Sequence, residues 1–409
     1  MKKKIKIFIV EDNLVSAKIL TKMMASEAHT VSYNTSSVCA LQEIIEQKPD
    51  CVLLGIMMPE IDGFELCKRL RSMPEMNAMK IIVVSAKSYE SDRNRAFASG
   101  ADGYVIKPVD PKKFPKQLKR IIEDRLELTF WGVRGTMPVP GEKSIKYGGN
   151  TSCVSLEFPR GNLFIFDAGT GIKELSDYLI AEKRLHLETK IFISHPHWDH
   201  INALPFFTPL YRQGNEFEIC GPSHGDVHLR DLIFGQMDGV HFPIQITEFS
   251  SRVNYRDLME EEINIEGTKI KTMLLNHPGY CLGYHVEYKD RSVCYVTDNE
   301  LYPKSSRFYN EEYRDKLVAF VKGTDALITD CTYNDEEYKK KVNWGHSSIG
   351  QVVDLAHRAA VKKLFLIHHD PNHSDDTIDA KLEAAKAMLK KKKSATQCIA
   401  PKEKQSFKI

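Results

Sequence analysis

Along the first 124 residues, short apolar runs alternate with polar stretches that carry helical spacing. The runs are Ile5–Val10, Thr30–Tyr33, Cys51–Leu54, Ile81–Val84 and Tyr104–Ile106. Between the second and third, Val38, Leu41 and Ile45 recur at i, i+3 and i+7, a helix period rather than a strand period. Five strands alternating with helices predict an α/β fold, a doubly wound five-stranded parallel sheet with function at the carboxyl ends of its strands. Glu11 and Asp12 end the first run, Gly55 the third and Ser85 the fourth, while Lys107-Pro108 follows the fifth. The polar residues therefore converge on one edge.

The helix expected over Pro115–Glu123 leads almost directly into the apolar stretch Leu126–Trp131, with no Pro, Ser or Gly spacer. This places a boundary at 124/125 and predicts a rigid or packed junction rather than a tether. Residues 125–409 read as a second α/β unit, with strands near 126–131, 152–158, 163–167, 190–194, 269–275, 292–297, 326–330 and 363–367. Helices are expected near 349–359 and 377–391. The run Lys390–Lys393 falls at a helix end, where cations meet the C-terminal dipole favourably, so it reads as a solvated terminus.

Composition narrows the function. A length of 409 residues suits two or three domains at roughly 100–200 residues each. With 57 basic and 55 acidic residues the chain is too evenly charged to coat nucleic acid in bulk. Nine scattered cysteines without a Cys-x-x-Cys fit reduced, mostly buried thiols in a cytoplasmic protein. Met1-Lys-Lys-Lys imitates the start of a signal peptide, but the apolar stretch after it stops at Val10, too soon for an h-region. No run approaches the 18 or so apolar residues of a membrane span, so no membrane partner is expected.

Glu11-Asp12, Met57-Met-Pro-Glu-Ile-Asp62-Gly63, Ser85-Ala-Lys87 and Lys107-Pro108 resemble a response-regulator receiver domain of flavodoxin-like fold. The resemblance implies that Glu11, Asp12 and a third-strand Asp hold Mg²⁺, and that this Asp accepts phosphate. Ser85 and Lys107 would sense the phosphoryl group, and Tyr104 would report the switch. Gly55 stands where the acceptor Asp belongs, and it has no side chain to attack phosphorus or bind metal. Asp62, seven residues on in a turn, is not expected to replace it. Glu11 and Asp12 read equally as a leftover acidic pocket or a residual Mg²⁺ site. The domain is expected to serve as a docking module for a signalling protein or as a homodimerisation module.

In the second unit, Ile191-Phe-Ile-Ser-His195-Pro-His197-Trp-Asp199-His200 places three imidazoles and a carboxylate within six residues at a strand end. These donors suit Zn²⁺, Mn²⁺ or Fe²⁺. Four ligands on one turn cannot comfortably surround one ion, which points to two adjacent ions. His-x-His-x-Asp-His strongly resembles the metallo-β-lactamase superfamily, an αββα sandwich. Further marks follow in order: Asp167-Ala-Gly-Thr-Gly171, His277 in Leu275-Asn-His-Pro-Gly279, Asp298 after Tyr295-Val-Thr, and His368 closing Leu364-Phe-Leu-Ile. The resemblance implies that His195, His197 and His277 hold one metal, that Asp199, His200 and His368 hold the second, and that Asp298 bridges both. His369 and Asp370 become candidates to orient the ligand imidazoles, and Asp167 a structural or supporting acid.

No ligand position holds cysteine, and His197 stands where flavo-diiron relatives carry Glu, so hydrolysis with zinc is expected, with manganese or iron as alternatives. Trp344-Gly-His346-Ser-Ser348 resembles the Gly-His-Ser-Thr motif of tRNA 3′-end processing nucleases and related phosphodiesterases, which implies that His346 protonates a leaving group or contacts the scissile phosphate, the former being favoured. Asp199 and Asp298 join it as catalytic candidates. Trp131-Gly-Val-Arg134-Gly and Tyr147-Gly-Gly-Asn150-Thr-Ser152 resemble a branch near the cyclic-nucleotide phosphodiesterases, with Arg134 and Asn150 as candidates to grip phosphate. The expected function is a dinuclear phosphodiesterase acting on a cyclic nucleotide or another small phosphodiester, coupled to two-component signalling by a receiver that is not phosphorylated. Alternatives are a tRNA 3′-end endoribonuclease and a metal-dependent sensor or scaffold. Against the nuclease, residues 201–276 hold 6 basic and 11 acidic residues, a balance that repels a polyanion.

Overall fold

The computed structural model describes residues 4–409 apart from 26, 28, 88, 185 and 266; the Met1–Lys3 start lies outside the described residues. The chain divides into two compact units, one of residues up to 126 with Phe158–Asn162, the other of Glu127–Glu157 with Leu163–Ile409. No helix among the described residues is long and apolar enough to cross a membrane. All nine cysteines are free thiols, and only Cys39 is exposed.

The first unit is built from β1 (Lys6–Val10), α1 (Leu14–Ala25), β2 (Thr30–Asn34), α2 (Ser37–Gln47), β3 (Cys51–Leu54), α3 (Gly63–Arg71), β4 (Lys80–Ser85), α4 (Glu90–Ala98), β5 (Gly103–Ile106) and α5 (Phe114–Glu123). Its strands form a parallel sheet in the order β2-β1-β3-β4-β5. Apart from Lys6, Lys80 and Ser85 at their ends, the inner strands are apolar because helices cover both faces: Phe8 and Val10 enter one core, Ile7 and Ile9 the other. On α5, Phe114, Leu118 and Ile121 make a buried stripe at i, i+4, i+7. Helix α2 forms where expected, but its buried stripe is Ala40 and Ile44; Leu41 and Ile45 are half-buried and Val38 is exposed. Spacing alone reveals the helix without fixing its rotation.

The second unit continues with β6 (Glu127–Gly132), β7 (Cys153–Glu157), β8 (Leu163–Phe166), α6 (Gly171–Ala181), β9 (Glu188–Phe192), α7 (Trp198–Ile201), β10 (Glu216–Pro222), α8 (Leu229–Phe234) and β11 (Arg252–Leu258). Then follow β12 (Glu262–Ile265), β13 (Thr268–Leu274), β14 (Leu282–Tyr288), β15 (Arg291–Val296), α9 (Glu311–Phe320), β16 (Ala326–Asp330), α10 (Asp335–Tyr338), α11 (Ile349–Arg358), β17 (Lys363–Ile367), α12 (Asp375–Lys391), β18 (Gln397–Ile399) and β19 (Ser406–Lys408). Two seven-stranded sheets result, β11-β10-β9-β8-β7-β6-β19 and β12-β13-β14-β15-β16-β17-β18.

Between the sheets lies an aromatic layer in which Phe166 stacks on Phe192 and Tyr295, with ring centroids 5.5 and 5.3 Å apart. Such pairs contribute about 0.5–1.5 kcal/mol beyond the area they bury, so Phe166→Ala should cost about 3–5 kcal/mol of stability. Helix α6 packs outside the first sheet through Ile172, Leu175 and Leu179. Helices α9, α11 and α12 cover the second through Leu317, Val352 and Leu389. This αββα sandwich sends the carboxyl ends of β9, β15, β16 and β17 toward one place. Several strands went unread in the sequence, β10, β11 and β14 among them. Glu216, Glu218 and Gly221-Pro222 in β10 look like loop, and β14 carries Gly283, His285 and Glu287.

Candidate metal centre

Each of these strand ends leaves the sheet on a tight turn that delivers one or more donor atoms. After β9, His195 and His197 precede α7, whose first turn carries Asp199 and His200. His277 follows β13, Asp298 follows β15 and His368 follows β17. Two ligand-like groups form, His195 with His197, His277 and Asp298, and Asp199 with His200 and His368; within each, the donor atoms lie within 4.8 Å of one another.

The separations match coordination spheres. His197 Nδ1 lies 2.9 Å from His195 Nε2 and 3.1 Å from His277 Nε2. Asp298 Oδ2 is 3.5 Å from His195 Nε2 and 3.7 Å from His277 Nε2. Its other oxygen, Oδ1, is 3.4 Å from His200 Nε2 and 3.1 Å from His368 Nε2. Asp199 Oδ2 is 3.2 Å from both of those nitrogens. Ligands held tetrahedrally at 2.0–2.1 Å from zinc sit about 3.3 Å apart, so the edges suit two such ions sharing Asp298.

The groups behind the donors fix which nitrogen faces inward. His277 Nδ1 donates to Gly345 O (2.9 Å), which leaves the Nε2 lone pair turned to the cluster. His200 Nδ1 donates to Asp167 Oδ2 (2.7 Å), and His368 Nδ1 lies 3.1 Å from Thr332 Oγ1. His200 Nε2 and His368 Nε2 then face each other at 3.3 Å. Lone pairs this close repel unless a cation lies between them, and the donor set therefore fits two divalent ions.

Electrostatics point the same way. Burial, then neighbouring imidazoles, hold His195 well below the usual imidazole range. Burial also brings His277 down to about 4 despite Asp298. Burial opposes a proton on His200, but Asp199, Asp298 and Asp167 outweigh it and raise its pKa well above the ordinary value. That point in the site demands positive charge, from a proton or a metal ion. Burial would raise Asp298, yet His368 and His200 hold it far below the carboxylate range.

Of the residues expected to support the cluster, Asp167 does so and His369 and Asp370 do not. His369 is buried with neither ring nitrogen bonded, and Asp370 accepts from Lys341 Nζ (3.2 Å) and Asn372 N (2.8 Å); neither orients a cluster imidazole. Asp167 does, and it also accepts from Ser194 N (2.7 Å), Ser194 Oγ (2.8 Å) and Tyr295 OH (2.7 Å). Arg134 does not reach the site. It is fully buried, donating to Gly148 O (2.9 Å) and His373 O (2.5 Å) beside Asp375 (3.4 Å). Asn150 is held by Glu403 through its amide nitrogens. That loop serves the site through its backbone instead, since Thr136 N donates to Asp199 Oδ2 (2.7 Å). Gly135 lets it pass, because a Cβ there would sit 2.2 Å from the His368 ring.

His346 lies beside both groups. Its ring stacks on His368 with centroids 4.9 Å apart, and its Nδ1 is 4.0 Å from Asp298 Oδ2, close enough to form a third overlapping group with Asp298 and His368. Its firm partner is Asp330 Oδ2, to which Nδ1 donates at 2.9 Å. Burial lowers the pKa of His346, but Asp330 reverses this and carries it to about 9. Sequence reading missed Asp330, although it ends β16 as Asp298 follows β15. It also missed Glu300, which is buried and accepts from Gly345 N (2.7 Å) and Asn343 N (2.7 Å), shaping the turn that carries His346.

In the first unit, Lys107 Nζ donates to Glu11 Oε1 at 2.6 Å, and Glu11 is buried while Asp12 is exposed. A Cβ on Gly55 would sit 2.9 Å from Glu11 Oε2, so the Glu11 carboxylate borders the space an acceptor side chain would fill. Ser85 Oγ accepts from Lys87 N (3.1 Å), and Tyr104 OH donates to Lys87 O (2.9 Å). Asp62 caps α3 by accepting from Glu65 N (2.7 Å).

Comparison with known proteins agrees with both halves. Residues 7–119 match the response regulator receiver domain, and residues 162–369 match the beta-lactamase superfamily domain. The phosphate regulon transcriptional regulatory protein PhoB of Rhizobium meliloti is 34% identical over 117 residues, covering 29% of this chain and 52% of that protein. The polar-differentiation response regulator DivK of Brucella ovis is 28% identical over 118 residues, 29% of this chain and 96% of DivK. The chain spans about half the length of the first of these curated relatives. The crystal structure of the metallo-β-lactamase fold protein YhfI from Bacillus subtilis covers 70% of this chain and 100% of YhfI, at 17% identity and a TM-score of 0.50, a likeness of fold. With the second match extending over just over half of its length, the chain belongs to the beta-lactamase superfamily and carries a response regulator receiver domain at its N-terminal side.

Proposed function

We propose that residues 125–409 are a dinuclear metal-dependent phosphodiesterase for a cyclic nucleotide or another small phosphodiester, and that residues 1–124 are a receiver that regulates or localises it without being phosphorylated. The observation that carries this reading is Asp298, whose two carboxylate oxygens each face a separate group of imidazoles. His195, His197 and His277 would hold one ion, Asp199, His200 and His368 the other, with zinc expected and manganese or iron as alternatives. Bound there, divalent ions would make solvent nucleophilic at neutral pH and neutralise charge building on the phosphoryl oxygens.

The chain's own residues supply the rest. When the new P–O bond to water forms and the ester P–O bond breaks, the departing oxygen needs a proton. With Nδ1 committed to Asp330, the proton His346 can give is the one on Nε2. Asp330 keeps that imidazole charged before transfer and orients its ring. Asp167, Thr332 and Gly345 O hold the cluster imidazoles so that little reorganisation accompanies the reaction.

The test is a side-by-side assay of bis(p-nitrophenyl) phosphate, a chromogenic lactam and a thioester with added Zn²⁺ or Mn²⁺. Hydrolysis of the phosphodiester is expected; turnover confined to the lactam or thioester overturns the reading.

A further inference from the structure

Two of the three tryptophans in the chain face solvent, and both adjoin the metal-site loops. Trp198, 79% exposed, stands between His197 and Asp199; Trp344, 60% exposed, stands two residues before His346, while Trp131 is buried. An indole left in water forgoes a large burial energy, and two of them beside one side-chain cluster make a candidate contact surface. A third large ring, Tyr280, is 51% exposed three residues beyond His277. The loops are tied together at the cluster: His277 Nδ1 donates to Gly345 O next to Trp344, and His277 Nε2 lies 3.1 Å from His197 Nδ1 next to Trp198. His197 is itself the exposed member of the ligand-like set, so solvent reaches the cluster on the side these rings border.

A cation accompanies them. Lys341 Nζ, already paired with Asp370 Oδ2 (3.2 Å), lies 5.2 Å from the centroid of Trp344 and 4.6 Å from that of Tyr333, whose ring is 6.0 Å from His346. Lys341 lies over the Trp344 ring and His224 meets Tyr280 edge-on at 5.4 Å, yet each ring stays more than half exposed, and exposed rings with a cation at hand suit a flat π system carrying an anion; an alkyl chain would call for an enclosed apolar slot instead.

We propose that Trp198, Tyr280 and Trp344 form a stacking rim that receives the base of a nucleoside phosphodiester while Lys341 attracts its phosphate. This rests on the phosphodiesterase reading and narrows its substrate class to nucleotides. Base–aromatic stacking tolerates any base, because each presents a π face, so the rim selects for a nucleoside without choosing among bases.

The experiment uses the full chain loaded with Zn²⁺ or Mn²⁺ and two substrates with one leaving group, thymidine 5′-(p-nitrophenyl phosphate) and methyl p-nitrophenyl phosphate. The thymidine ester should be preferred in kcat/KM, mainly through KM, by about 5- to 150-fold, the span expected from a lost stack. Trp198→Ala and Trp344→Ala should each collapse the preference, and Trp344→Phe should retain most of it. Equal kcat/KM for the two esters, or a preference unchanged in both alanine variants, overturns the rim. Quenching of tryptophan emission by 3′,5′-cyclic AMP gives a reading that needs neither turnover nor a variant. If both esters prove inert, the phosphodiesterase reading fails, and saturable quenching then supports the rim while its absence overturns it.

Discussion

Replacing Asp330 by Asn removes one negative charge with almost no change of shape, and its effect can be worked out from the His346 contact. In the wild-type protein the carboxylate 2.9 Å from Nδ1 offsets burial and brings the imidazole to about 9. Without that charge only Asp298 and Asp199 still oppose burial, so the pKa falls from about 9 toward the ordinary imidazole range. A general acid must be protonated, so activity is expected below the pKa and lost above it, and the alkaline limb of the pH profile should move to lower pH in D330N. A fall all the way to the ordinary value of about 6.5 would take the protonated fraction at pH 8 from about nine-tenths to about one-thirtieth, so slowing of up to about 30-fold is expected. Cations in the adjacent cluster would lower both limbs without reversing the direction of the shift. The assay is kcat against pH for an ester with an alkyl leaving group and one with p-nitrophenolate, which departs with little need of a proton. The alkyl ester should suffer at least tenfold more than the p-nitrophenyl ester. An unshifted alkaline limb, or equal loss on both esters with metal content intact, would refute the role given to His346 and Asp330.

Other outcomes follow from particular contacts. Thr332→Val removes the hydroxyl 3.1 Å from His368 Nδ1 and should weaken metal binding about 10- to 100-fold in competition with a chelator; unchanged affinity would show that His368 needs no such support. The wild-type receiver should take no label from acetyl phosphate, and a stoichiometric acid-labile adduct would show that another residue replaces the acceptor missing at Gly55. His285 is buried, which lowers its pKa, and its Nδ1 donates to Phe320 O at 2.6 Å. Its folded form resists protonation, so its contribution is complete above the unfolded imidazole pKa of about 6.5 and declines as pH falls below it. Urea melts of His285→Gln should therefore show a shallower loss of stability between pH 7 and pH 5 than the wild type, and parallel losses would contradict that.

The residues most legible in the sequence were those placed by short-range rules. An apolar run followed at once by His or Asp marks a strand end, and His195–His200, Asp298 and His368 all occur in that setting. Asp330 occurs there too, after Ala-Leu-Ile-Thr, but its importance comes from His346, sixteen residues later and folded back against it. Arg134 and Asn150 looked like phosphate grips because their Gly-rich loops suggested open backbone. Their partners, Asp375 and Glu403, lie more than 200 residues away, and no local pattern announces such pairs. Strands β10 and β14 were hidden for a related reason. Strand β10 alternates Glu with apolar residues and ends in Gly-Pro, and β14 pairs with β13 and β15 despite Gly283 and His285. Sheet pairing, rather than their own composition, makes these segments strands.

Everything proposed for the second unit depends on seven side chains, gathered from distant parts of the chain, holding two metal ions. The direct measurement is elemental analysis of the purified 409-residue chain after equilibration with zinc and removal of loose metal, compared with Asp298→Ala. About two ions per chain are expected in the wild type and a loss at both positions in the variant, because each Asp298 oxygen faces a different group. A wild-type protein that retains no stoichiometric metal, or a variant that still retains two ions, would contradict it.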